Sequence, residues 1–381
     1  MLLSIAVLPL AAVSAGGPLR ALLQDEPSAE QEQARLAEGW RRQDFEWIPP
    51  DEVANLDQGL WKCGGEWMSL ERANAYHARL DTWWRIPGEH TVLYTTLSRH
   101  DAETALAGIE DAHADLVRLF GVEPPAKPLV VALDSREQYL AFTGGDVEKG
   151  EPGRSFFGLH LLHGAYYADN WFDEAGRSMR AGVAYWAIGD AKEGSFGTLW
   201  IRHALGQAFA EGLDASPEAL AERSELLAKD RDVGFDWALR FWEEKVLPDW
   251  LRQGAAVYVE RYYVDDVAAA DGDPLWARKW SVQNIESRGG FEGVGRVVSG
   301  RLRIDQPEES AKWINQCGLL VAFLLDGEDK TVTKAHGKVI DALAKFAKDP
   351  DKSRKGLEKA VEGLEKALEK QEKKLREFAG L

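Results

Sequence analysis

Hydrophobic positions follow two regimes along the chain. In the first half, short runs rich in β-branched and aromatic residues at 90–96, 128–133, 164–168 and 182–186 predict strands. Between the first two, Leu106, Ile109, His113, Leu116 and Phe120 recur at helical spacing, which predicts a helix over 102–120 ended by Gly121. Ser135 is placed to cap a shorter helix running through Phe142. Beyond Leu199 the apolar positions keep a helical period almost to the end. Strands ahead of helices predict an α+β fold, a small mixed sheet followed by a helical lobe. The final pattern differs again. Leu357, Val361, Leu364, Leu368, Gln371, Leu375 and Phe378 alternate steps of four and three with Glu and Lys between them, a heptad seam on an amphipathic helix over 352–379. Pro350 and Gly356 suggest a hinge ahead of the seam. Each leucine left in water would cost roughly 1.5–3 kcal/mol, so the seam requires a cover. That cover is a second copy, giving a homodimer, or a groove on the main body; the shortness of the seam and the polar Gln371 favour the groove.

The N-terminal stretch changes the picture from fold to location. Residues 2–12 are apolar, and Val13-Ser14-Ala15 puts small residues where a signal peptidase inspects the chain, so 1–15 reads as a secretory signal. The expected destination is periplasmic, cell-envelope or extracellular. Residues 16–39, acidic and amide-rich toward their end, predict a disordered spacer. Residues 40–88 gather Trp40, Trp47, Trp61, Trp67, Trp83 and Trp84 into a small aromatic region, where burial is a commoner use of tryptophan than sugar binding. No run approaches the ~20 continuous apolar residues of a membrane span. A formal net charge of −17 over 381 residues repels polyanions, which excludes nucleic acid as a default partner. The two cysteines, Cys63 and Cys317, permit one bridge or two buried thiols and cannot build a cysteine-type zinc site.

Candidate chemistry lies on two of the later helical segments. The first contains Leu199-Trp200-Ile201-Arg202-His203-Ala204-Leu205-Gly206-Gln207, and the second Pro248-Asp249-Trp250-Leu251-Arg252-Gln253-Gly254-Ala255-Ala256, with Gln253 lying 50 residues after His203. This pairing resembles the gluzincin zinc metallopeptidases, in which one helix carries His-Glu-x-x-His and a second, opened by a Pro-x-Trp-Leu-x-Glu-Gly-x-Ala-like segment, supplies a glutamate ligand. The resemblance spans residues 89–345 and implies a gluzincin-like domain there. It also implies a degenerate site: His203 stands at the first histidine, Ala204 at the general base, Gln207 at the second histidine and Gln253 at the carboxylate ligand.

These replacements remove the chemistry. A catalytic zinc takes three protein ligands and keeps one position for water. One imidazole does not suffice, neutral amide oxygens are poor zinc ligands, and Ala204 cannot take a proton from metal-bound water. The implied function is an exported, inactive metallopeptidase homologue with no catalytic residue, metal or cofactor, which binds a peptide, a protein or a cell-envelope component in a remnant cleft. The rival is a hydrolase with a non-standard site around His203, served by carboxylates from the Glu211 or Glu260 regions. Other motifs are weaker. His160 and His163 would point to opposite faces of a strand, and Glu211 lies roughly 12 Å from His203 along a helix. The glycine-rich 289–295 lacks the context of a phosphate loop and predicts a turn. The adjacent acids Glu243-Glu244 and Asp265-Asp266 face different directions.

Overall fold

The computed structural model describes residues 29–142, 165–172, 178–185, 196–213, 245–260, 276–301 and 307–381. The proposed signal and the His160/His163 pair lie outside these residues, as do Glu243-Glu244 and Asp265-Asp266.

The stretch expected to be a spacer holds a helix, α1 (Ala29–Ala37). Its Ala, Glu, Gln and Arg are strong helix formers, and two contacts fasten it. Glu32 meets Arg42 at 3.3 Å, and the Arg35 guanidinium lies over the Trp40 and Trp47 rings at 5.9 and 5.3 Å. Two hairpin-helix units follow, β1 (Arg41–Gln43), β2 (Glu46–Ile48), α2 (Val53–Asp57) and then β3 (Trp61–Cys63), β4 (Glu66–Met68), α3 (Leu70–His77). They form a tandem repeat: Glu46-Trp47-Ile48 recurs as Glu66-Trp67-Met68, 20 residues on, with the last residue of each buried. Arg99 joins the units to the body. It chelates Asp44 at 2.5 and 2.9 Å and lies over Trp61 and Trp84 at 4.7 and 5.3 Å. Trp61 and Trp84 are thus packed beneath Arg99.

The chain is α+β. A five-stranded sheet contains β5 (Trp84–Pro87), β6 (Val92–Thr95), β7 (Leu129–Leu133), β8 (Ala165–Phe172) and β9 (Ser178–Tyr185), in the order β5-β6-β7-β9-β8. The central pairs β6/β7 and β7/β9 are parallel and the outer pairs antiparallel. Parallel β6 and β7 require a crossover, which α4 (Arg99–Phe120) supplies. The Ser98 side chain caps α4 by accepting from the Asp101 N–H, so the helix starts earlier than its apolar period indicates. Alternation sorts the strand residues between two cores. Leu93, Val130, Ala132 and Ala184 join the main core, while Tyr94, Val131, Leu133 and Val183 pack on the other face with Tyr139 from α5 (Arg136–Phe142).

The helical lobe comprises α6 (Phe196–Leu213), α7 (Asp249–Val259), α8 (Trp276–Ser287), α9 (Val294–Val298), α10 (Pro307–Asp326), α11 (Lys330–Phe346), α12 (Pro350–Lys370) and α13 (Glu372–Ala379). Gly289, Gly290 and Gly293 adopt positive φ, as a turn requires. The heptad seam is covered within its own chain: Leu357, Leu364, Leu368 and Leu375 are fully buried. Pro350 is the first residue of α12 and Gly356 lies inside it, so neither forms a hinge; the break falls at Gln371. Cys63 and Cys317 are free, buried thiols, and burial pushes Cys63 up to about 11 and Cys317 well above its ordinary value. Among the described residues no helix is long and apolar enough to cross a membrane.

Candidate functional site

The site helices are set by two glycines. Gly182 of β9 lies directly beneath α6, where any Cβ would overlap the Ala204 carbonyl, so the helix rests on the sheet backbone. Gly206 allows α7 a similar approach, since a Cβ there would lie 2.5 Å from the Ala256 Cα. Two polar contacts give the direction of the pair. His203 meets Glu260, and Glu211, further along α6, meets Arg252, earlier on α7, so the helices run antiparallel.

This register brings some of the sequence candidates together. His203 and Gln207, one turn apart on α6, are in contact through Nε2 of each at 3.1 Å. Gln253 shares the stripe of α7 that carries Ala256 and Glu260 toward α6, at the i, i+3, i+7 spacing of one helix face. It lies less than one turn from the level of Gln207 and about two turns, roughly 10 Å, from that of Glu260. Ala204 is fully buried against β9. Sequence reasoning underweighted Glu260, although its spacing of seven from Gln253 was a legible signal that both sit on one face.

Glu260 is the acidic partner of His203. Its Oε1 lies 2.5 Å from Nδ1, and both side chains are more than nine-tenths buried. Burial drives the Glu260 carboxyl above the ordinary carboxylate range, and the imidazole hydrogen bond pulls it partly back. One arrangement serves both contacts: Nδ1–H donates to Glu260, and Nε2 accepts from the Gln207 amide. Oε1 of Gln207 is then a buried acceptor with no partner among the described residues. Such an orphan costs roughly 1–3 kcal/mol. A second buried network lies further along, where Glu211 receives Lys245 at 2.7 Å and Arg252 at 3.5 Å, and Arg252 also reaches Asp249. Glu211 is thereby committed to two cations.

The zinc implied by the resemblance does not fit these residues. His203 Nε2, the atom a metal would take, is in contact with an amide N–H, and the residue one turn on is a neutral Gln in place of a ligand. Glu260 sits behind the ring at Nδ1, where an orienting partner sits in metal sites. Compared with family models, curated proteins and solved structures, the chain matches none.

Proposed function

We propose that the chain is an exported, catalytically inert metallopeptidase-like protein that binds an extended polypeptide beside α6 and β8. The observation carrying this reading is the engagement of both His203 nitrogens, by Glu260 and by Gln207, in a buried setting. An imidazole so held neither ligates a metal nor exchanges protons with a substrate. One further feature bears on binding. Among the described residues no strand pairs with the outer edge of β8, the edge an extended polypeptide would join by strand addition.

The rival hydrolase reading takes support from the His203–Glu260 dyad, which has the form of a base and its orienting carboxylate. Burial of His203 and its contact with Gln207 count against that reading. Incubation of the purified chain with a degenerate library of short peptides separates them. Inert binding predicts slower amide exchange along β8 with no new peptide termini. Turnover that disappears in His203→Ala would overturn the proposal, as would a library that leaves β8 exchange unchanged.

A further inference from the structure

A second histidine cluster lies on the opposite end of α4 from its cap, away from the His203 knot. His90 occupies the turn joining β5 to β6, His113 lies on α4, and Glu123 follows the left-handed Gly121 that ends that helix. One ligand atom from each of the three lies within 4.8 Å of the others. The turn is fixed on both sides. Glu110, one turn before His113 on α4, accepts from the His90 N–H, the Thr91 N–H and the Thr91 hydroxyl at 3.1, 3.1 and 2.6 Å, and Lys127 donates to the Gly88 carbonyl at 3.2 Å. His90 is thereby laid over His113, ring on ring, with centroids 4.3 Å apart and planes within 8°.

His113 carries the point further. It is 4% exposed and its ring meets the edge of Phe209, so the core holds it in place. Two imidazoles beside a carboxylate are a donor set for a divalent transition ion.

We infer that His90, His113 and Glu123 form a site for a divalent transition ion of the zinc class, with water as the fourth ligand. Ligand bonds of about 2.0–2.2 Å place tetrahedral donors ~3.3 Å apart, and each imidazole binds in its own ring plane, so on binding the cluster closes by up to about 1.5 Å and one ring turns out of the stack. The movement falls to His90, whose side chain is 38% exposed, and to the exposed Glu123, while His113 stays anchored in the core. No step in the proposed peptide binding involves this site, which lies on a different helix from His203.

Titration of the full metal-free chain with Co(II) and then Zn(II) tests the inference, with His90→Ala, Glu123→Gln and His203→Ala as variants. The expected result is one ion per chain, visible Co(II) bands of a low-coordinate N- and O-ligated site, and displacement by zinc. Loss of a partner in the outer shell costs about 10–100-fold in affinity, so removing His90 should cost at least tenfold. Glu123→Gln should weaken binding too, and His203→Ala should leave it unchanged. His90 and Glu123 are not core groups, so these variants remain folded, which circular dichroism confirms. A folded wild-type chain that takes up neither ion, or uptake undiminished in both variants, would overturn the site.

Discussion

At the residue scale, the buried histidines give the chain its pH response. Burial lowers His77, His113 and His336 below the ordinary imidazole value of about 6.5. The unfolded chain therefore binds protons near that pH that the folded chain refuses. Stability is fully present above it and is lost as the pH falls below it toward the folded values. Glu260, raised by burial, acts in the opposite sense at lower pH, because the folded state keeps its proton longer. The urea midpoint should be lower at about pH 5.5 than at about pH 7.5, and His336→Gln should reduce that difference. An unchanged difference would show that other groups carry it. His203 itself was legible in the sequence as the one imidazole of its motif. Its partner was less so, because a Glu at the end of a helix reads as a solvated terminus until the register of α7 against α6 is known.

At the scale of elements, α6 and α7 are held by backbone contact rather than side-chain interdigitation alone. Gly206→Val should force the helices apart at Ala256 and cost about 1–3 kcal/mol, the range for overpacking a close contact. Chemical denaturation measures it, and a neutral effect would contradict the close approach. The same reasoning explains what the apolar pattern could and could not convey. Strands β6, β7 and β9 and helices α4, α6, α7 and α10 were legible as apolar stretches, periodic in α4 and nearly continuous in β7, α6 and α7, which are buried almost all round. The repeated hairpins of the N-terminal units were not: their strands are three residues long, too short for a period, and their identity shows only when residues 46–48 are set against 66–68. Helix α1 was obscured by composition, since Glu and Gln are common to spacers and to exposed helices.

At the scale of the molecule, the C-terminal helices complete the lobe. Trp250, the aromatic residue of the second motif, donates its indole N–H to Glu365 of α12 at 2.8 Å, and Lys374 of α13 meets Asp329 at 2.6 Å. With its leucines buried against the body, the full chain should be monomeric by light scattering, and a version ending at Asp349 should lose its cooperative unfolding or aggregate. A full-length dimer that becomes a folded monomer on truncation would show that the seam pairs two copies instead.

The decayed-site account is tested most directly by restoring ligands in a background without the other cluster. In His90→Ala, the pair Gln207→His and Gln253→Glu supplies the missing imidazole and carboxylate on the facing sides of α6 and α7. Zinc content of the folded protein is the measurement. The account predicts one zinc per chain, lost when His203→Ala is added, whereas a folded variant that holds no zinc would contradict the metallopeptidase-like reading of this helix pair.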